Sequence, residues 1–171
     1  VETGMNRVGL PPGEAVEFAR WVEELEGVDY RGSMTHFAVA DVPSETDYTR
    51  DQLETFRDVL ERLEAANLAP EIVHAANTAA AWRFPETHFD MVRVGLGLYG
   101  LAPSDAVYET GDMAHALRLT TRIVHMKTVE PGETVGYGRT WRAEQPTRIA
   151  TIAVGYNDGL PRFMSNGGEV L

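Results

Sequence analysis

The stretch Pro70-Glu71-Ile72-Val73-His74-Ala75-Ala76-Asn77-Thr78-Ala79-Ala80-Ala81-Trp82 carries the change of pattern that decides the fold. A proline is followed by a short apolar run, Ile72-Val73-His74, which reads as a strand. An alanine-rich segment over Asn77–Trp82 then reads as a short helix. The same alternation extends in both directions. Upstream, residues 49–66 place Leu53, Phe56, Val59, Leu60 and Leu63 on one helical face with charges opposite. Before that lies a strand-like run over Met34–Val39. Earlier still, Pro11-Pro12-Gly13 opens a helix whose Phe18, Trp21, Val22 and Leu25 recur at i, i+3, i+4 and i+7. Downstream, Phe89–Tyr99 is again strand-like. Strands alternating with helices predict a parallel sheet, either open or closed into a barrel.

The pattern changes near residue 104. Ser104–Gly111 is polar and turn-rich and reads as a linker. Leu117–Val129 and Arg148–Val154 read as extended β segments separated by a turn at Pro131-Gly132, and Gly155–Gly168 is rich in turn residues. No long helical pattern follows residue 116. The expected fold class is α/β: residues 1–110 form part of an α/β barrel, and residues 111–171 form part of a mostly β domain.

Composition narrows the function. A formal net charge of -11 argues against a partner such as nucleic acid, whose backbone needs clustered Lys and Arg. No apolar run approaches the roughly 18 residues that span a bilayer, so no membrane partner is expected. The start, Val1-Glu2-Thr3-Gly4, resembles neither a signal peptide nor an initiator segment, and reads as the tail of a strand begun earlier. The expectation is a truncated piece of a longer protein. There is no Cys, hence no thiolate site, and His36, His74, His88, His115 and His125 lack metal-ligand spacing, so no metal is expected. The basic residues are 14 Arg and one Lys, Lys127. Any chemistry that needs a Lys amine must use that residue or lie outside the chain.

Polar residues fall where the strand patterns end: Arg7 after Thr3-Gly4, then His36, Asn77 and Arg93. In parallel α/β folds the active site forms at these ends. Each residue also suits a helix cap or a solvated loop, and that reading stays open. Gly95-Leu96-Gly97 can bring backbone N–H groups close to a phosphate, or mark a closely packed strand end. Tyr137, between Gly136 and Gly138, can project its hydroxyl into a cleft or sit exposed on an ordinary β-turn. The residues alone support an α/β enzyme of unknown substrate.

As strings, these segments resemble one family. Thr3-Gly4-Met5-Asn6-Arg7-Val8-Gly9-Leu10 is similar to the TGMxRxG segment of alanine racemases, and Thr35-His36-Phe37-Ala38 with Ala40-Asp41 to their THFAxAD segment. In the same order follow His74–Ala79, Phe89–Leu96 with Leu98-Tyr99-Gly100, and Thr121-Arg122-Ile123. Gly132-Glu133, Val135–Gly138, Gly155-Tyr156, Asp158-Gly159, Pro161-Arg162 and Ser165-Asn166-Gly167 complete the series. The resemblance covers the chain from end to end.

It implies a cytoplasmic homodimer that interconverts L- and D-alanine with pyridoxal 5'-phosphate and supplies D-alanine for peptidoglycan. Active sites are expected where the barrel of one subunit meets the β domain of the other. The cofactor is expected on a Lys near the family's N-terminus, outside this chain, so these residues alone are expected to be inactive. Racemisation needs a base on each face of the cofactor, and Tyr137 matches the family's tyrosine base. A free phenol has a pKa near 10, so a phenolic base working at neutrality needs roughly 4 kcal/mol of differential stabilisation. His36 and Arg93 match the hydrogen-bonded pair behind that tyrosine, and Arg93 also faces the cofactor's pyridine nitrogen. Arg7 matches the residue near the substrate carboxylate, and Tyr156 one that lines the substrate's access path. Asn77 lies in the cofactor-proximal loop, while Thr78, Gly95 and Leu96 match phosphate-contacting positions. Thr78 stands where many relatives carry Ser. Two alternatives remain: a broad-specificity amino-acid racemase of the same fold, and a non-catalytic PLP-binding barrel protein. The β segment with Tyr137 argues against the second, because those proteins are single-domain barrels.

Overall fold

A computed structural model describes residues 1–108 and 113–169. The chain packs as two compact units, Val1–Leu117 and Arg118–Leu171. The expected boundary at 110/111 falls outside the described residues.

The first unit is built on parallel strands. Strand β1 (Gly32–Met34) pairs with β2 (Ile72–His74) in the register Gly32↔Ile72, Ser33↔Val73, Met34↔His74. The amino group of Val1 donates to the Met34 carbonyl on one side (2.6 Å). On the other side Met91 bridges His74 in parallel, and Asp90 N donates to the Val73 carbonyl at 3.1 Å. Four short segments thus lie side by side, with helix α1 (Ala15–Glu23), helix α2 (Thr46–Ala65) and helix α3 (Thr78–Arg83) between them in sequence. This is the expected α/β arrangement, part of a barrel followed by a β unit.

Helix α2 forms where its pattern predicts, starting three residues earlier. Asp47 in its first turn and Arg62 in its last suit the helix dipole. Asn67 ends it in the left-handed region (φ 58), with Leu68 N bonded to Leu63 O and Asn67 N to Glu64 O, both at 2.9 Å. Its face of Leu53, Phe56, Val59 and Leu63 is buried as expected, with Leu60 partly so. Phe56 meets Phe89 edge to face at 5.8 Å.

Helix α1 corrects the sequence reading. Its largest side chains do not face the core: Phe18 and Trp21 are exposed and touch each other, Val22 and Leu25 are half-buried, and Ala15 and Ala19 pack against Val59 and Leu63. Small side chains let the two helices approach closely, so the buried stripe is the one the hydrophobicity pattern underweights. The strand expected over Met34–Val39 stops at Met34, and that expected over Phe89–Tyr99 reduces to the Met91 bridge and a 3-10 turn at Leu96–Tyr99. Within the expected linker, Asp105–Tyr108 forms a helical turn, α4, and Val107 is buried; residues 109–112 lie outside the described residues.

In the second unit β3 (Ile123–Val129) pairs antiparallel with β6 (Thr147–Ile152), and β4 (Thr134–Val135) with β5 (Trp141–Arg142). Pro131-Gly132 makes the expected turn. No helix among the described residues is long and apolar enough to cross a membrane.

Candidate active site

Backbone carbonyls explain why the segment after β1 leaves the sheet. The carbonyls of Thr35, His36 and Phe37 each accept from a different side chain in place of a neighbouring strand. Arg93 Nη2 donates to Thr35 O at 2.9 Å, Gln52 Nε2 to His36 O at 3.2 Å and Asn77 Nδ2 to Phe37 O at 3.2 Å. The loop is thereby fixed from three elements, and its side chains are free to do chemistry.

Arg93 is the hub. Its Nη2 also reaches His36 Nδ1 (2.9 Å) and Ala75 O (3.1 Å), and its Nη1 reaches His74 Nδ1 (2.6 Å). A guanidinium only donates, so both imidazoles accept at Nδ1 and carry their proton on Nε2. Burial, then the charges of Arg93 and Arg7, hold the His36 imidazole below its ordinary value. Burial and Arg93 do the same to His74. Both rings are therefore neutral near pH 7.

Arg7 and His36 line one small cavity of about 190 Å³ with Met34 and Thr35. Asn77 caps α3 by accepting from Ala80 N at 3.0 Å. Thr78 Oγ1 accepts from Gly95 N at 3.0 Å, which draws the Gly95-Leu96-Gly97 turn against the start of α3. Gly97 is required there, since a Cβ would lie about 3.0 Å from the Thr78 and Trp82 side chains. The structure thus brings Arg7, His36, Asn77, Thr78, Arg93, Gly95 and Leu96 to the ends of the parallel segments of one unit.

The two tyrosines belong to the second unit. Tyr137 sits in a 3-10 turn between Gly136 (φ 78) and Gly138 (φ 70), conformations that side chains rarely adopt, and its ring is 95% exposed. Tyr137 and Tyr156 line the same open cleft, of about 780 Å³, with Leu160, Arg162 and Phe163. Arg162 lies over the Tyr156 ring at 5.6 Å. Both sequence readings of the Gly-Tyr-Gly turn hold in part: the ring is exposed, and it borders a cleft.

His74 and Gln52 were not singled out from sequence. His74 ends a strand, as His36 and Arg93 were expected to, and that position was its signal. Gln52 is a polar residue on the buried stripe of α2, four residues before Phe56. Among the described residues no cluster of three His, Asp or Glu could hold a metal ion.

A parallel α/β layer thus gathers a guanidinium, two neutral imidazoles and a second Arg at its strand ends, where active sites of such layers form. The chain belongs to the alanine racemase family: the N-terminal domain of that family matches residues 1–103 and its C-terminal domain residues 116–171. An alanine racemase of Halothermothrix orenii is 43% identical over the whole chain, which covers 45% of that relative. One of Treponema denticola is 38% identical over 96% of the chain and 44% of the relative. Among solved structures, alanine racemase from E. faecalis matches 96% of the chain and 44% of that protein, with 36% identity and a TM-score of 0.85. The enzyme from a D-cycloserine-producing Streptomyces lavendulae matches 98% of the chain and 45% of that protein, at 38% identity and TM-score 0.81. The chain spans a little under half the length of these relatives.

Proposed function

We propose that the protein containing this chain is a pyridoxal 5'-phosphate-dependent alanine racemase, acting as a cytoplasmic homodimer that supplies D-alanine for peptidoglycan. In this reading residues 1–110 belong to its cofactor-binding barrel and residues 111–171 to its β domain. The observation that carries the proposal is Arg93 held by two neutral imidazoles at the ends of parallel strands, in a chain of this family.

The residues present fit the cofactor. Arg93 Nε and one Nη1 hydrogen have no acceptor among the described residues, which suits a pyridine nitrogen that accepts without being protonated. Thr78 accepts from Gly95 and so keeps its hydroxyl hydrogen for an anion, and a Cβ on Gly95 would meet nothing within 4 Å. Thr78, Gly95 and Leu96 would hold the phosphate, with Asn77 supporting the loop. When bound, pyridoxal phosphate supplies the electron-withdrawing ring that makes the amino acid's Cα–H acidic. Arg93, which can only donate, would hold the ring nitrogen without protonating it, and so would favour return of the proton to Cα over transamination.

The chain's own groups divide the remaining work. Arg7 pairs with the substrate carboxylate. Tyr137 of one copy takes or returns the Cα proton on one face, next to the His36–Arg93 pair of another copy, while Tyr156 borders the approach. The opposite face needs a second base; Lys127, exposed on β3, matches a family position with no such role.

The test is Cα–H exchange of L- and D-alanine in deuterated water, using the protein as encoded with added pyridoxal phosphate. Exchange and inversion of both enantiomers are expected. Absence of exchange in a folded, cofactor-loaded protein overturns the proposal, and equal turnover of bulkier amino acids points to a broad-specificity racemase.

A further inference from the structure

Gln52, one of the three groups that hold the loop after β1, is 1% exposed, and every polar atom of its side chain is used. Its Oε1 accepts from Ala38 N at 3.0 Å, and its Nε2 donates to His36 O and to Thr3 Oγ1, both at 3.2 Å. A backbone N–H must meet the oxygen and a carbonyl must meet the nitrogen, so the amide has one orientation. The direction of the chain beyond it is also settled. Thr35 spends its hydroxyl hydrogen on Val1 O (3.1 Å), so Thr3 donates to Thr35 at 2.6 Å and is left to accept from Gln52. One turn earlier on the same face of α2, the Tyr48 hydroxyl donates to Gly4 O at 3.1 Å.

Two segments therefore hang from one helix face. The first is the loop that presents His36, gripped at His36 O and Ala38 N on either side of Phe37. The second is the Thr3-Gly4 segment that leads to Arg7. Both residues line the same cavity. A buried amide with every hydrogen bond made is costly to disturb, because each partner left behind is a buried polar group without a mate.

We propose that Gln52 is a positioning residue that sets the His36 loop and the Arg7 segment against helix α2 together. The imidazole side and the arginine side of the site thus share one mount. The proposal rests on the functional reading above for what the site does, but its geometry can be tested without that reading.

The experiment follows the His36 and His74 imidazole titrations by NMR in the protein as encoded, beside kcat and KM for alanine. Gln52→Leu removes all three bonds; Gln52→Glu retains acceptance from Ala38 and loses both donors. In either variant the His36 titration is expected to rise towards the ordinary imidazole value while His74 stays put, with kcat reduced roughly tenfold to a hundredfold. Thr3→Val removes the bonds of Thr3 to Gln52 and Thr35, leaving the Arg7 segment tied to α2 through Tyr48 alone, so KM is expected to rise several-fold with His36 unmoved, and Thr3→Ser restores it. A folded Gln52→Leu or Gln52→Glu protein whose His36 titrates as before overturns the proposal, whatever its stability. The titrations need neither substrate nor cofactor, so an unsubstituted protein that fails to racemise alanine refutes the function and leaves this test intact.

Discussion

In Val1–Leu117 the side chains of Phe37, Phe56, Val59, Leu63 and Val107 are closed off from water, whereas in Arg118–Leu171 only Val129 and Ala143 are buried hydrophobics among the described residues. The first unit places its chemistry by packing: Arg93 and His36 are held by carbonyls and side chains from several elements. The second places Tyr137 by backbone conformation alone, between two glycines on an open cleft. Its main sheet is a two-stranded pair that exposes Ile123, Val124 and Met126, and such pairs are marginal by themselves. Precision and exposure are thus separated along the chain.

The sharpest way to exploit that contrast is to change one residue on each side. Tyr137→Phe, in the protein as encoded, is expected to slow proton abstraction from one enantiomer by about 10²–10⁴-fold, with an unchanged denaturation midpoint because the ring is exposed. Separate deuterium-exchange rates for L- and D-alanine read this out, and equal loss in both directions breaks the assignment. Phe56→Ala should do the reverse on the buried side, costing about 3–5 kcal/mol by urea denaturation. A smaller effect is expected from acid. The folded-state values of His36 and His74 are lowered, so the unfolded chain binds protons first as pH falls below about 6.5. Stability is therefore full above that value and declines on acidification until the folded-state values are passed. Denaturation midpoints at pH 7.5 and 5.5 should show the fall. Smallest of all, Val124→Ala on the exposed sheet should shift stability by less than about 0.5 kcal/mol; a core-sized loss in this chain would erase the contrast between the units.

The sequence made helices easier to read than strands. Residues 49–66 carry enough turns for their apolar period to stand out, and α2 formed within three residues of expectation. Strands β1 and β2 span three residues each, too short for a period of two to end them. Where β1 stops is decided by Arg93, Gln52 and Asn77, which are distant in sequence and take the carbonyls that another strand would have taken. Helix α1 misled because its tightest contact uses alanines, which weigh little in an apolar pattern. At the site, strand-end position pointed to His36, Asn77 and Arg93. The same signal fell on His74 unnoticed, and Gln52 was hidden inside a stripe that was read for its hydrophobic members.

The hydrogen bonds around Arg93 also act as a rectifier for protons. At His36, Nδ1 is occupied by a permanent donor and Nε2 already bears hydrogen, so neither nitrogen can receive a proton without first releasing the guanidinium. The imidazole can lend a hydrogen bond to a negative oxygen but cannot act as the acceptor of a proton in transit. His74 is arrested in the same way. On the proposed function, the group that removes a proton beside His36 would have to lie outside the cluster, and the cluster would make that group's negative charge tolerable.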